Sequence, residues 1–223
     1  MKFISGRHFY SGLNHSPAFD GKDIEKLQKM ILRWIKCADK LTDLNSVFNK
    51  AVYICFFYLM EKLYLLLGSN LGDRSGYLAE ARRQISAEIG PLSGVSALYE
   101  TEPWGNADQG RFLNQVVCLD SDTEPLLLLG CILDIEQRIG RTRSGIRNEA
   151  RLIDIDILFF GDRIIRSAKL SIPHPLLHSR RFTLVPLHEI APQLIHPVLK
   201  KSVAELLDIC EDPLMVSLFG KED

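Results

Sequence analysis

The sequence predicts an α+β fold, an α/β sandwich in which helices pack on a ferredoxin-like sheet. Beyond about residue 60, short apolar runs bounded by turn residues alternate with two longer stretches of helical periodicity. Their order is β-α-β-β-α-β, which is typical of a ferredoxin-like sheet. Of the 223 residues, 46% are hydrophobic and 25% are charged, a composition that indicates an ordinary globular domain with room for an extension.

Residues 1–59 are expected to form an N-terminal extension of a domain at 60–223. The first 21 residues are polar and without period, which predicts a weakly ordered arm. An amphipathic helix is predicted at 22–41, because apolar side chains recur there on one helical face: Ile24, Leu27, Ile31, Trp34, Ile35, Ala38 and Leu41. Two interpretations stay open. Either Met60 is the natural start and the extension is not native, or the extension is a real appended helix.

Charge, cysteines and hydropathy exclude several classes of protein. The net charge of −1 argues against a protein that coats nucleic acid. The five cysteines are scattered and form no C-x-x-C pair, so reduced thiols and a cytoplasmic location are expected. The most apolar run, 51–60, is too short to span a bilayer, so no membrane is expected as a partner.

The first strand of the predicted sheet is the apolar run 63–67. A glycine-containing turn and a helix cap follow it, and an apolar face at helical spacing predicts a helix that ends at Gly90. A second strand is predicted at 95–99 and a third at 112–119. The loop between them, 100–110, is long for a compact domain, and long ordered loops are often functional.

A second helix is predicted to open at 123–125 and to run to Ile139, where Gly140 stops it. Glu136 lies in the last turns of this helix. Because an acid near a helix C-terminus opposes the helix dipole, we expect a cation or another basic partner beside it.

The stretch 138–161 has two halves of opposite character. The first half carries five arginines and one acid, and the second half is a strand pattern. Residues two apart in a strand face the same way, so Asp154 and Asp156 lie together on the face opposite Ile153, Ile155 and Ile157.

Two carboxylates this close repel each other unless a cation lies between them, and Mg²⁺ is the usual cation because it takes oxygen ligands. The arginines upstream match the geometry of phosphate. The stretch therefore predicts nucleotide-dependent phosphoryl transfer. A solvated strand face beside a basic loop stays open as the alternative on these residues alone.

The remaining chain is predicted to be loop and helix. A short strand end is expected at 164–165, and a proline-bounded loop at 170–182. A mostly apolar segment at 184–190 is predicted to be helical. Ser202 is expected to cap a last short helix at 203–209.

Four blocks of the sequence are specific when taken together. They are Leu67 to Asp73; Tyr99 to Gly105 with Asp108-Gln109 and Phe112-Leu113-Asn114; Leu152 to Gly161; and Ile172-Pro173-His174-Pro175 through Arg180-Arg181-Phe182 to Glu189-Ile190-Ala191-Pro192. In order and spacing they resemble the 6-hydroxymethyl-7,8-dihydropterin pyrophosphokinase family, over about residues 61–210. The resemblance implies Mg-dependent transfer of pyrophosphate from ATP to 6-hydroxymethyl-7,8-dihydropterin, which gives the pterin diphosphate and AMP in folate biosynthesis.

The resemblance also implies site residues. It places two Mg²⁺ ions on Asp154 and Asp156, with Arg141 and Arg151 as further catalytic residues. It implies that ATP, the co-substrate, is bound by Glu136, Arg141, Arg151, His174 and Arg180. It implies that the pterin is bound by Gly68, Thr101, Glu102, Trp104, Phe112, Asn114 and Phe182.

Two details qualify these roles. His174 is expected to donate a hydrogen bond to phosphate rather than to bind zinc, because Pro173 and Pro175 argue against a helix that would pair it with His178. The loop before Arg151 lacks a tryptophan-glycine-proline run that the family often has, which leaves the roles of two loop arginines open: Arg143 and Arg147.

Two other functions stay open beside the pyrophosphokinase. One is another Mg-dependent nucleotidyl or phosphoryl transferase on the same sheet. The other is a module that binds single-stranded RNA through exposed aromatic side chains. The acidic strand face and the net charge of −1 argue against RNA binding. The expectation is a cytoplasmic monomer that acts on two small molecules, ATP and the pterin, without nucleic acid.

Overall fold

The computed structural model describes residues 60–103, 109–141 and 150–220. The described residues belong to one compact unit that starts at Met60. The predictions for the N-terminal extension, and those for Trp104, Arg143 and Arg147, lie outside the described residues. Within the ranges above, no helix is long and apolar enough to cross a membrane.

A mixed set of strands and helices follows the predicted order, except that three strands instead of two lie between the first two helices. The strands are β1 (Glu61–Ser69), β2 (Leu92–Val95), β3 (Tyr99–Thr101), β4 (Phe112–Ser121), β5 (Asp154–Phe160), β6 (Ile165–Arg166), β7 (Ser171–Ile172) and β8 (Val216–Leu218). The helices are α1 (Arg74–Glu88), α2 (Pro125–Ile139), α3 (Arg181–Ile190) and α4 (Val203–Asp208), with a 3₁₀ turn at Leu177–Ser179.

The main sheet is antiparallel, and its strand order is β5-β1-β4-β3-β8, with β2 also paired to β4. A split β-α-β arrangement of this kind places β1 and β4 at the centre and β5 beside β1. The predicted α+β fold is therefore confirmed. The short strands β6 and β7 form a separate two-stranded sheet.

One face of the sheet is covered by α1 and α2. Its core is formed by alternate side chains of the central strands, such as Leu65, Leu67 and Leu119, packed with Ile85 of α1 and Ile132 of α2. The apolar stripe of each helix recurs at helical spacing, and it is this stripe that is buried.

The other face is covered by α3 and α4. Leu66, Val116 and Phe159 of the sheet pack there with Leu184 and Leu187 of α3. On this face, the ends of β1, β4 and β5 that carry Gly68, Asn114 and Asp154 line a cavity instead.

Helix ends follow the sequence signals. The Glu124 side chain accepts hydrogen bonds from the first turn of α2, and Gly140 ends that helix with a left-handed backbone, φ 106°. Ser202 and Glu205 form a reciprocal capping box at α4. These caps confirm the predicted starts and stops of the two helices.

The strand predicted at 95–99 is wrong, because the chain leaves the ladder there. The Oγ of Ser96 accepts from the backbone N of Val116 at 3.0 Å, and the backbone N of Ala97 donates to the Glu189 carboxylate at 2.9 and 3.1 Å. The backbone N of Ser96 still donates to the Val116 carbonyl at 2.9 Å, but side-chain oxygens accept from the backbone N of Val116 and of Ala97, and the expected strand is split into the end of β2 and the start of β3.

Two more predictions were incomplete. The predicted loop at 170–182 contains β7, the 3₁₀ turn and the start of α3. The two-residue alternation of β5 holds from Ile153 to Ile157 but not beyond, because a bulge opposite Tyr64 and Leu65 turns both Leu158 and Phe159 toward the second core. The edge strand β8 had no prediction at all.

Candidate active site

The cavity on the open part of the sheet has a volume of about 470 Å³. Of the fourteen residues expected in the site, thirteen line it, and Trp104 lies outside the described residues. The thirteen are Gly68, Thr101, Glu102, Phe112, Asn114, Glu136, Arg141, Arg151, Asp154, Asp156, His174, Arg180 and Phe182. The sequence expectation and the fold therefore converge on one cavity.

The register of the sheet sets the floor of the cavity. Gly68 of β1 pairs with Asp154 of β5 on one side and with Asn114 of β4 on the other. One acidic and one amide side chain are thus separated by a residue without a side chain. A Cβ at Gly68 would lie 3.3 Å from the Oδ1 of Asn114, so glycine keeps this stretch of the floor open.

Asp154 forms the centre of an ion-pair network at the acidic end. Arg141 donates to its Oδ1 and Arg151 donates to its Oδ2. Arg141 also donates to Glu136. Burial acts to lower the pKa of Arg141, but the Asp154 and Glu136 carboxylates outweigh it and raise the pKa. The guanidinium of Arg141 is therefore a permanent cation beside the first residue of β5, Asp154.

Glu136 is a buried carboxylate that ties α2 to β5. The residue is only 1% exposed, and its Oε1 accepts a hydrogen bond from the backbone N of Ile155 at 2.8 Å. Because Arg141 donates to the same carboxylate, Glu136 holds the guanidinium beside Asp154. The basic partner expected from the helix dipole is thus present.

Asp156 lies two pairs further along β5, opposite Leu66. Burial raises the pKa of Asp156 to about 7, with a further contribution from the Asp154 charge, while Arg180 acts in the opposite direction. Asp154 and Asp156 therefore face one cavity, in which burial and the Asp154 charge both oppose the ionisation of Asp156. A hard divalent cation bound between them would remove this conflict.

The donor set at this end fits Mg²⁺. Among the residues that the structure describes, no group of three or more His, Cys, Asp and Glu side chains could hold a metal by itself. Two carboxylates with free positions left for water and phosphate oxygens are the arrangement that Mg²⁺ takes in nucleotide enzymes. Zinc, which favours closed sites with nitrogen and sulfur ligands, does not match.

The opposite end of the cavity, on the β4 side of Gly68, offers a buried amide, and two aromatic rings also line the cavity. Asn114 is 3% exposed, and its Nδ2 donates to the Oγ1 of Thr101 at 2.7 Å, which fixes the amide. Phe112 belongs to β4 and Phe182 belongs to α3, so the two rings reach the cavity from separate elements. A flat heteroaromatic ring with polar edges suits such a site.

The family model described as 7,8-dihydro-6-hydroxymethylpterin-pyrophosphokinase (HPPK) matches residues 64–192. The chain belongs to this family. All thirteen cavity residues named above lie inside the matched range. The family assignment and the geometry thus concern the same part of the chain.

Relatives support the assignment. The 2-amino-4-hydroxy-6-hydroxymethyldihydropteridine pyrophosphokinase of Aquifex aeolicus is 40% identical over 146 residues, which cover 66% of this chain and 90% of the relative. The protein of the same name from Methylorubrum extorquens is 42% identical over 137 residues, 61% of this chain and 86% of the relative.

A solved structure of Plasmodium falciparum HPPK-DHPS with pteroate has the same fold as this HPPK chain. The TM-score is 0.55 at 20% identity, and the match covers 67% of this chain. This HPPK chain spans 42% of that longer chain. At this level of identity the likeness concerns the fold alone.

Some cavity residues of this HPPK chain were missed from the sequence: Leu66, Gln109, Leu129, Leu133, Ile155 and Lys169. Leu129, Leu133 and Glu136 are spaced as one face of α2, so helical periodicity extended back from Glu136 was a usable signal. Lys169 lies between β6 and β7, and its place depends on a two-stranded sheet that the sequence did not reveal.

His174 is expected to stay neutral throughout the physiological range. Its Nδ1 accepts a hydrogen bond from the backbone N of Leu176 at 3.3 Å, so the ring proton is on Nε2. Burial lowers the pKa of His174 to about 4, with a further contribution from the Arg180 charge. We expect its NMR ring resonances to stay constant from pH 8 to pH 5, with the His174→Gln variant used for assignment.

The lowered pKa of His174 also makes the stability of the folded protein depend on pH. Because the folded pKa lies below the ordinary value of about 6.5, His174 contributes stability above pH 6.5 that is lost as the pH falls toward 4. A ring that titrates near pH 6.5 in the folded protein would contradict this description of the site.

Proposed function

We propose that this chain transfers the pyrophosphoryl group of ATP to the hydroxymethyl group of 6-hydroxymethyl-7,8-dihydropterin, in folate biosynthesis. One observation carries the proposal: a single cavity combines a carboxylate pair with arginines at the β5 end and a fixed amide at the β4 end, and two aromatic rings also line it. The first end suits a metal-bound polyphosphate, and the second suits a flat polar ring. Gly68 leaves the floor between them open.

The reaction has a simple balance of bonds. The hydroxymethyl oxygen forms a bond to the β-phosphorus of ATP and loses its proton to solvent. The bond between that phosphorus and the oxygen that bridges to the α-phosphorus breaks, and AMP leaves with this oxygen. The products are the pterin diphosphate and AMP. Holding both reactants in one cavity supplies much of the rate by orientation alone.

At the acidic end, Asp154 and Asp156 would hold two Mg²⁺ ions. When bound, the metal neutralises charge on the phosphate oxygens. Arg141 and Arg151 bind phosphate oxygens beside the metal site, since both already contact Asp154 there. Glu136 keeps Arg141 in place. Neutral His174 and cationic Arg180 line the same cavity and complete the phosphate contacts.

At the other end, the Oδ1 of Asn114 accepts hydrogen bonds from the polar edge of the pterin. Thr101 holds the amide in the required orientation through the bond to Nδ2. Phe112 and Phe182 contact the ring faces. The resemblance of the sequence also implies backbone groups of Glu102 and Trp104 as contacts of the pterin.

The catalytic unit proposed here is residues 60–223, acting as a cytoplasmic monomer on ATP and the pterin. The monomeric state stays a prediction from the sequence. The roles of residues 1–59 stay a prediction from the sequence.

One assay separates the proposed activity from its alternatives. Protein incubated with Mg²⁺, ATP and 6-hydroxymethyl-7,8-dihydropterin is expected to release AMP, and only when the pterin is present. ADP in place of AMP would indicate a simple kinase. The absence of any pterin-dependent turnover would exclude the proposed reaction and leave a different Mg-dependent transferase or a binding module.

A further inference from the structure

Asn70 has no assigned role, although it lies in the segment that follows β1 beside both ends of the cavity. The residue is only 7% exposed. Its backbone and side chain make hydrogen bonds to two segments that are far apart in sequence, one around Arg151 and one at Gln109 and Gly110. Each of these segments contributes residues to the cavity wall.

The first connection is a reciprocal pair with Arg151. The backbone N of Asn70 donates to the carbonyl of Arg151 at 3.2 Å, and the backbone N of Arg151 donates to the Oδ1 of Asn70 at 2.8 Å. The side-chain carbonyl thus takes the place of a backbone carbonyl just beyond the last β1–β5 pair, Gly68 with Asp154. Arg151 is held by its backbone where its guanidinium meets Asp154.

The second connection runs to the opposite end of the cavity. The Nδ2 of Asn70 donates to the Oε1 of Gln109 at 3.0 Å and approaches the carbonyl of Gly110 at 3.5 Å. This segment leads directly into Phe112 of β4, which lines the pterin end. A Cβ at Gly110 would lie 3.4 Å from the Asn70 carbonyl, so the two backbones are in close contact.

Chemistry fixes the orientation of the amide. The backbone N of Arg151 can only donate, so it must face the oxygen of Asn70. The carbonyl of Gly110 can only accept, so the NH₂ group must face the other way. A residue that both donates and accepts is therefore required. Aspartate would supply the acceptor alone, and alanine would supply neither group.

We propose that Asn70 is a positioning residue that joins the two ends of the site, holding Arg151 for the phosphates and the Gln109–Gly110 segment for the pterin. The inference rests on the proposed function, because it names the two ligands whose binding would depend on Asn70. Asn70 itself need not touch either ligand. Its effect is transmitted through Arg151 on one side and through the segment before Phe112 on the other.

The test compares Asn70→Ala with Gln109→Ala and with the double variant. Asn70→Ala is expected to raise the KM of ATP and that of the pterin by about tenfold each, since each connection loses a buried hydrogen bond. Gln109→Ala is expected to raise only the KM of the pterin. The double variant should match Asn70→Ala, because both changes remove the same connection on that side.

Ser69→Ala is the matched control. Ser69 is the buried neighbour of Asn70, and its Oγ has no hydrogen-bond partner among the described residues. It should leave both KM values within twofold of the unmodified protein. All assays are run well below the melting temperature of each variant, so that a loss of folded protein cannot imitate a change in KM.

Two results would overturn the proposal. One is an Asn70→Ala protein with both KM values near those of the unmodified chain, even if its melting temperature is lower. The other is a Gln109→Ala effect that persists in full on top of Asn70→Ala, which would mean that Gln109 acts alone.

A binding measurement separates this inference from the proposed function. Calorimetric titration with a non-hydrolysable ATP analogue and Mg²⁺ should show about tenfold weaker binding to Asn70→Ala than to the unmodified protein. If the unmodified protein lacks pterin-dependent AMP release, the proposed reaction fails, yet weaker analogue binding would still support the link to Arg151. Equal binding would refute that link.

Discussion

Asp154→Asn and Asp156→Asn are each expected to lower kcat at least about 10³-fold while the fold is retained. The metal ions that these carboxylates would hold stabilise transition-state charge by several kcal/mol, and each 1.36 kcal/mol is a factor of ten in rate. An amide keeps the size of the side chain but has no charge. Pterin-dependent AMP release measures the loss, and circular dichroism with thermal unfolding checks the fold.

Asp134→Asn is the matched control for this experiment. Asp134 is an exposed residue of α2, so the same loss of one charge occurs outside the cavity. Its kcat should be unchanged. If either Asp154→Asn or Asp156→Asn retained near-normal turnover, the proposed metal role of that carboxylate would have to be abandoned.

Asn114→Ala is expected to raise the KM of the pterin about 10²-fold. A site that is built to hydrogen-bond a substrate loses this much when one buried partner is removed, because the substrate groups are then left unpaired. The KM of ATP should stay within twofold, since Asn114 lies at the end of the cavity away from Asp154. Steady-state kinetics with each substrate varied in turn gives both values.

Thr101→Val is a milder change at the same place than Asn114→Ala. Its isosteric side chain removes only the hydroxyl that accepts from the Asn114 amide at 2.7 Å. The amide then loses its fixed orientation but remains present, so we expect a smaller rise in the pterin KM, about tenfold. Equal effects of Asn114→Ala on the two substrates would contradict the assignment of this end to the pterin.

Local sequence signals account for much of the fold. The period of two in β5 placed Asp154 and Asp156 on one face, and the structure keeps them there because Ile155 and Ile157 are buried on the other. The caps of α2 and α4 were readable for the same reason: each depends on residues within a few positions of the helix end.

Features that depend on distant residues could not be read from the sequence. The interruption between β2 and β3 exists because Ser96 bonds to Val116 and Ala97 bonds to Glu189, 92 positions away. The edge strand β8 is only three residues long and exists through its pairing with β3. Neither the interruption between β2 and β3 nor the strand β8 has a run of alternating residues long enough to be recognised in the sequence.

The site residues also fall into two groups, those that local sequence patterns indicate and those whose positions depend on distant contacts. The Asp154–Asp156 pair and the adjacent arginines were apparent from spacing and charge. The grouping of Asn114, Phe112 and Phe182 came from the resemblance to a family, because any one of these residues alone fits an ordinary core. Asn70 and Lys169 were assigned nothing, since their positions depend on contacts across the sheet and between two short strands.

Crystals grown with Mn²⁺ in place of Mg²⁺ and with a non-hydrolysable ATP analogue test whether Asp154 and Asp156 hold the metal ions. Anomalous scattering from manganese locates each metal without reference to the surrounding atoms. Two peaks are expected in the cavity, each in contact with a carboxylate oxygen of Asp154 or Asp156 and with the phosphates of the analogue. Phosphates bound in the cavity with no manganese at either aspartate would contradict this expectation.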